Sequence, residues 1–416
     1  MSTPTAPHLV DLADPDAFAD GAPHEALAVL RRTDPVHWQP MHGEPGFWAV
    51  LRHADVVEVA RHPEIFSANV GGIVIENPAP ESLARMRNML AAMDPPRHHA
   101  HRAPLSPHFR PRAIARLEER VREICGAIMA QARDRGDVEF VHDVAAPLPT
   151  HVIGEYFGLP QQDWRYLQQL AERITASQDP ELAGPGYGEG AGGAEMAQYA
   201  IDFAARRRRC APADDLTSAI LHGDFGGRPM TDAEFGGFFV QLVTAGNDTT
   251  KGILSSGLLT LLRHPDQLAE LRSDPSLIPR AVEEIVRYDN PLHYFRRTAV
   301  VDTVLAGTPI NAGDKVAMYY TSANRDESVF DNPQSFDIRR HPNPHLSFGM
   351  GNHFCLGAHL ARLEGRIFFE ELLAAFPTIE LNGDPVRIRS NLNNSLKRLP
   401  VRLGSAASGV GRAIGL

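Results

Sequence analysis

Phe348-Gly349-Met350-Gly351-Asn352-His353-Phe354-Cys355-Leu356-Gly357 is the stretch from which the reading starts. A lone cysteine is most often an inert, buried, small apolar residue. Cys355 has neighbours that change this. Gly351 and Gly357 leave the backbone free to take positive φ or to lie close against a flat partner. Apolar residues then recur at roughly helical spacing, Leu356, Leu360, Leu363, Ile367 and Phe368, and predict a helix over 357–376. The sulfur therefore lies just before a helix N-terminus. There the dipole and the free N–H groups favour a thiolate and can hydrogen-bond a metal-bound sulfur.

The ten residues resemble the haem-binding signature of the cytochrome P450 monooxygenases, F-x-x-G-x-x-x-C-x-G. The resemblance puts Cys355 in the place of the axial ligand of the iron of haem b, with Phe348, Gly349 and Gly357 against the same cofactor. A thiolate on that side of the iron favours O–O cleavage.

A second position supports the first. Thr231 with Glu234 three residues on forms a capping box. The helical stretch it starts runs through Phe238, Val240, Leu242, Val243, Ile253, Leu258 and Leu259 to about Arg263. At ~1.5 Å per residue it is on the order of 45 Å long, enough to cross a domain. In its apolar middle, Ala245-Gly246-Asn247-Asp248-Thr249-Thr250 places an acid and a hydroxyl that are costly unless hydrogen-bonded. One reading is structural, with Thr249 bonding back to the Ala245 carbonyl and bending the helix. The other uses that distortion as a gap for dioxygen, with Thr249 and Asp248 relaying protons. A-G-x-D-T resembles the family's oxygen-activating segment, which favours the second reading and sets Ala245 and Gly246 beside the haem.

Two further segments fit the resemblance. Glu284-Ile285-Val286-Arg287 lies on a predicted helix over 278–288, and an i, i+3 acid–base pair is ordinarily a weak surface contact. The family instead implies a buried structural network of Glu284, Arg287 and Arg340. Asp94-Pro95-Pro96-Arg97-His98-His99-Ala100-His101-Arg102 resembles D-P-P-x-H-x-x-x-R. Two buried propionates need cationic or hydrogen-bonding partners, and His98, Arg102, Arg297 and His353 match the family's positions for them. His99 and His101 are surplus, and no carboxylate or cysteine joins them at a zinc-ligand spacing.

Composition is that of a soluble globular protein: 416 residues, 43% hydrophobic, 22% charged. Length alone suggests two or three domains, but motifs spread from 94 to 357 that converge on one cofactor imply a single large fold. The expected architecture is mainly α (α+β), a cytochrome P450 fold with a small β region and haem between the long central helix and the cysteine loop. Residues 1–20 are expected as an N-terminal extension, 21–403 as the domain and 404–416 as a flexible tail. Strand-like alternation marks 45–52 and 296–320. Glycine and proline cluster in 178–193, read as a flexible loop between helices and, by the resemblance, part of a lid over the substrate channel.

Three cysteines, Cys125, Cys210 and Cys355, are too few for a disulfide framework and fit a reducing cytoplasm. The N-terminal 18 residues show neither a signal peptide nor a membrane anchor. A net charge of −10 argues against nonspecific nucleic-acid binding, and the run Arg206 to Arg209 reads as a solvated helix end. No flavin or iron–sulfur pattern is present, so two electrons from NAD(P)H must arrive through a partner. The resemblance implies a ferredoxin and its reductase, with Arg110, Arg112, Arg362 and Arg366 as docking candidates, and the enzyme is expected to be a monomer.

The reaction implied is hydroxylation of a C–H bond of a hydrophobic small molecule, with O2 as oxidant. Pocket candidates by family analogy are Val70, Ile73, Leu242, Val243, Leu292, Tyr294, Phe295 and Asn394. The C-terminal half looks like bacterial members that act on sterol side chains, methyl-branched lipids or terpenoids. A tailoring oxidase of secondary metabolism is the alternative within the family; a haem-thiolate binding or sensor protein is the alternative outside enzymes.

Overall fold

The computed structural model describes residues 10–184 and 190–404. The helices that frame the site are α1 (His53–Arg61), α2 (Arg97–Arg102), α3 (Glu118–Arg135), α4 (Pro147–Phe157), α5 (Trp164–Thr175), α6 (Ala191–Arg207), α7 (Asp232–Arg263), α8 (Ile278–Tyr288) and α9 (Ala358–Ala375). The 32 residues of α7 run about 48 Å and pack against α4, α5, α6, α8 and α9. With neighbours on most sides, its apolar residues are not confined to one stripe: Phe238, Phe239, Val240, Val243 and Leu254 are all buried. Each buried side chain of this size contributes roughly 1.5–3 kcal/mol.

The start of α7 is fixed by its capping box. Thr231 Oγ1 accepts from the Glu234 amide (3.2 Å), and the Glu234 carboxylate accepts from the Thr231 amide (2.9 Å). Arg228 holds the same carboxylate at 2.7 Å and, as the largest influence, keeps its pKa well below the ordinary range. His101 Nε2 approaches it to 3.3 Å, which ties α2 to α7. One of the two surplus histidines is thus engaged structurally, while His99 is exposed.

The strands of the two larger sheets are β1 (Val36–Gln39), β2 (Phe47–Val50), β3 (Phe66–Ser67), β4 (Asp137–Glu139), β5 (Tyr294–Ala299), β6 (Lys315–Tyr319), β7 (Thr378–Leu381) and β8 (Pro400–Gly404). One sheet has the order β1-β2-β6-β5-β3, with β2 and β6 parallel and the other neighbours antiparallel. A second has the order β4-β8-β7. In the first, Phe295 pairs with Met318 and Arg297 with Val316. Successive β5 side chains point to opposite faces, so Phe295 and Arg297 share one face and Tyr294 and Arg296 the other.

Glu284, Arg287 and Arg340 meet in the interior. Arg287 donates twice to the Glu284 carboxylate at 2.7 Å, and Arg340 Nε lies 3.1 Å from Glu284 Oε2. Arg287 also donates to the carbonyls of Asn324, Pro333 and Ser335. These bonds offset the desolvation of a buried ion pair and lock α8 to the irregular chain that leads into the cysteine segment.

Four expectations need correction. Residues 10–20 are not a loose extension: Leu12 and Phe18 are buried, the Tyr319 hydroxyl donates to the Leu12 carbonyl (3.2 Å), and Arg389 pairs with Asp16. The 178–193 stretch contains a helical turn, Pro180–Ala183, whose Asp179 cap accepts from the Glu181 amide, and α6 begins at Ala191; residues 185–189 lie outside the described residues. The expected tail begins as strand, since β8 extends through Gly404, and 405–416 lie outside the description. In the arginine run, Arg207 and Arg208 are not simply solvated: Arg207 pairs with Asp215 (2.7 Å) and Arg208 with Asp232 (2.5 Å).

Candidate active site

The cysteine segment closes on itself before α9 begins. The Cys355 amide donates to the Phe348 carbonyl at 2.7 Å, and the Gly357 amide favours the thiolate. Gly351 has φ +66°, and an added Cβ would stand 2.8 Å from the Ala60 carbonyl oxygen of α1, so both conformation and space demand glycine. Gly357 differs. Its φ is ordinary, and a Cβ there would meet nothing within 4 Å. It borders the cavity, and its missing side chain leaves room for a flat group. Burial raises the Cys355 thiol pKa, opposed by the Gly357 amide, Arg102 and Arg362.

Cys355 and α7 border the same cavity, which opens to solvent. Along α7 the wall is formed by Leu242, Ala245, Gly246, Thr249 and Ile253, a helical i, i+3/i+4 series. Gly246 also lets α4 approach: a Cβ would sit 2.6 Å from Ile153 Cδ1. Thr249 Oγ1 donates to the Ala245 carbonyl at 2.7 Å, so the back-bonded arrangement is present on the cavity wall. Asp248, one residue away, turns from the cavity: its Oδ2 accepts from Thr175 Oγ1 at 2.6 Å and its Oδ1 lies 2.9 Å from Lys251 Nζ.

At one end of the cavity His98, Arg102, Arg297 and His353 converge. Among the described residues, both ring nitrogens of His98 and Nε2 of His353 are buried without a hydrogen-bond partner, and the two rings are 4.4 Å apart. Arg102 donates to the Phe354 carbonyl (2.7 Å) and Arg297 to the Arg296 carbonyl (2.8 Å). Neither arginine has a carboxylate within ion-pair distance among the described residues. Burial lowers the His98 pKa to about 4, with Arg102, His99 and Arg297 adding to the effect. His353 is lowered to about 2 by burial, then Arg297 and His98. Buried, unsatisfied donors under mutual repulsion fit a ligand that brings two carboxylates. A thiol, a flat floor and this cationic end therefore suit a haem.

Of the expected pocket residues, Leu242, Leu292 and Phe295 line the cavity; Val70, Ile73, Val243, Tyr294 and Asn394 do not. Val243 is turned about 100° from Leu242 into the helical core. Tyr294 follows the alternation of β5, and its hydroxyl accepts from the Ile75 amide at 3.3 Å. Val70 is 47% exposed. Ile73 sits in a loop tied to β5, where its carbonyl accepts from the Arg296 amide (2.9 Å). Asn394 holds Asp289 Oδ1 and the Asn290 carbonyl.

Sequence reasoning missed Ile253, Met318 and Glu364 on the wall. Ile253 was available from helical spacing beyond Thr249. Met318 depends on strand pairing. Glu364 is an acid four residues after Leu360 on the apolar face of α9; it is 1% exposed, Oε2 has no hydrogen-bond partner among the described residues, and burial raises its pKa to about 8.

The Cytochrome P450 family model matches residues 195–401. Steroid C26-monooxygenase of Rhodococcus jostii (strain RHA1) is 36% identical over 419 residues, covering 98% of this chain and 88% of the relative. Methyl-branched lipid omega-hydroxylase of Mycobacterium bovis is 39% identical, covering 92% of each. A solved Mycobacterium marinum cytochrome P450 in complex with pseudoionone is 37% identical, with a TM-score of 0.89, and covers 97% of this chain and all of that one. With the cysteine segment, α7 and the cationic end of the cavity in these positions, the chain belongs to the cytochrome P450 family and is a haem b monooxygenase supplied with NAD(P)H-derived electrons by partner proteins.

Proposed function

We propose that the enzyme hydroxylates a C–H bond of a sterol, methyl-branched lipid or terpenoid, with electrons from a ferredoxin and its reductase. The observation that carries the substrate class is the set of apolar residues, Leu242, Ile253, Leu292, Phe295 and Met318, that line the cavity Cys355 also borders. Burying a hydrocarbon there removes apolar surface from water at about 25 cal/mol per Å². The names of the relatives and the pseudoionone complex support the same class.

When bound, haem would supply the chemistry of O2 activation, with one oxygen atom going to the substrate and the other to water. Cys355 would hold the iron through its thiolate. Arg102, Arg297, His98 and His353 would hold the propionates, and Phe348, Gly349, Gly357, Ala245 and Gly246 would border the ring. Thr249 would offer its hydroxyl from the cavity wall, and Asp248 would supply protons to it. The apolar wall orients the substrate and excludes water. The protein acts as a monomer in the cytoplasm; among the described residues, no helix is long and apolar enough to cross a membrane.

Arg110 and Arg112 are exposed and make no ion pair among the described residues, so they suit an acidic ferredoxin. Arg362 and Arg366 are less free: Arg362 pairs with Glu283 at 2.6 Å, and Arg366 with Glu118 and Glu370.

Titration of the ferric protein with sterols, methyl-branched fatty acids, terpenoids and macrolides, followed at the Soret band, tests the substrate class. A low-to-high-spin shift with one of the first three supports it. A shift with macrolides alone overturns it in favour of a tailoring role. A spectral response without product under reducing turnover identifies a sensor.

A further inference from the structure

Three of the α7 side chains that border the cavity are polar: Gln241, Thr249 and Thr250. The two threonines lie together, whereas Gln241 stands two helical turns earlier, about 12 Å along the axis from Thr249. Its carboxamide has a fixed direction. The Ala91 amide, in the turn Leu90–Ala92, donates to Gln241 Oε1 at 3.2 Å. The acceptor end of the group therefore faces the turn, and Nε2, which carries both hydrogens, faces elsewhere. Nε2 makes no hydrogen bond to a described residue and is not sealed from solvent. Leu90, Ala91 and Leu242 border the same cavity, so this open donor stands among apolar groups. A bound hydrocarbon that displaced water from it would leave it unsatisfied, at a cost.

The charges around the cavity narrow what can accept from Nε2. Among the described residues, the basic side chains on its wall are Arg102, Arg297, His98 and His353, all at the propionate end. None stands beside Gln241. A carboxylate buried there would lose its hydration without gaining an ion partner, whereas a neutral carbonyl needs only a donor.

We propose that Gln241 is a specificity-determining residue that donates through Nε2 to a neutral carbonyl oxygen of the substrate. The carbonyl lies toward the Leu90–Ala92 turn and the C–H bond to be oxidised toward Thr249. The favoured substrates are ketones or esters of the sterol, terpenoid or methyl-branched class, oxidised at the end remote from the carbonyl, rather than free acids. This deepens the proposed function and rests on its reading of the cavity as the substrate site.

Matched ligands test it: a 3-oxo sterol and its 3-deoxy counterpart, a terpenoid ketone and the corresponding hydrocarbon, and a methyl-branched fatty acid and its methyl ester. Dissociation constants come from Soret titration of the ferric, haem-loaded protein. Gln241→Met keeps the length of the side chain and removes the donor. It shifts the ketone-to-hydrocarbon ratio of affinities about tenfold toward the hydrocarbon, the effect of one carbonyl left without its bond. Taking the ratio within a pair cancels whatever the lost Ala91 contact does to both ligands. Gln241→Leu gives the same shift and serves if Gln241→Met folds poorly. In the wild type the ester binds more tightly than the acid. Infrared spectra of a ketone labelled with 13C at its carbonyl read the bond without turnover: its stretch is lower in the wild-type complex than in the Gln241→Met complex.

Unchanged ratios in both variants, with the carbonyl stretch unmoved, would overturn the proposal while leaving the substrate class standing. A free acid that binds most tightly and loses its advantage in Gln241→Met overturns the assignment to a neutral carbonyl. If no sterol, terpenoid or branched lipid of either kind shifts the Soret band, the substrate class itself fails, and the role of Gln241 falls with it.

Discussion

Glu364→Gln isolates one buried titration. The Glu364 carboxyl lies on the cavity wall of α9, 1% exposed, and burial raises its pKa from an ordinary 4.5 to about 8. Desolvation penalises the carboxylate, so the folded protein retains a proton that the unfolded chain releases between those two values. The sign follows: this group's contribution is fully present below pH 4.5 and is lost as pH rises toward 8. Within that window the loss is about 1.4 kcal/mol per pH unit, hence on the order of 3 kcal/mol between pH 5.5 and 7.5. Glutamine keeps the shape and a neutral polar group but does not titrate. Guanidinium unfolding of both haem-loaded proteins at pH 5.5, 6.5 and 7.5, followed by tryptophan fluorescence, measures the difference. Wild type loses stability relative to Glu364→Gln as pH rises. Parallel profiles, or the opposite slope, would refute a neutral Glu364.

Thr249→Ala removes the hydroxyl bonded to the Ala245 carbonyl and is expected to raise the peroxide share of consumed NADPH about tenfold; product and peroxide assays check this, and unchanged coupling takes Thr249 out of the relay. Arg297→Leu removes a buried cation from the propionate end, and loss of a charged hydrogen bond worth roughly 1.5–3 kcal/mol predicts haem transfer to apomyoglobin at least tenfold faster. Glu284→Gln leaves the Arg287 guanidinium buried without its carboxylate, at a cost of about 3–5 kcal/mol. Its unfolding midpoint should drop accordingly, and a wild-type midpoint would show that the network adds no stability.

What the sequence made legible were features with a local code. The capping box located the start of α7, glycine spacing marked the cysteine segment, and helical spacing ran through the wall from Leu242 to Thr249. Features set by pairing between distant segments were less legible. Tyr294 and Phe295 are adjacent apolar residues, and only the placement of β5 beside β6 shows which one faces the cavity. Val243 and Leu242 differ by one helical step, so naming both ignored the 100° between them. The partners of Asp248 and Lys251 were hidden because Thr175 and Glu172 lie 73 and 79 positions earlier, respectively, and carry no motif. Arg340 reaches Glu284 across 56 residues, and family resemblance, not spacing, suggested that contact.

The packed arm before residue 20 bears on how the enzyme could be altered. Besides its links to Tyr319 and Arg389, it receives a hydrogen bond from the Asn391 side chain at the Ala13 carbonyl (2.8 Å), and Asn391 in turn meets Gln178 just beyond α5. Deleting residues 10–20 would leave Asn391 and Arg389 without those partners while touching neither Cys355 nor the wall. A library varied only in this arm therefore changes the support of Asn391 and Arg389 without altering a residue of the cavity wall.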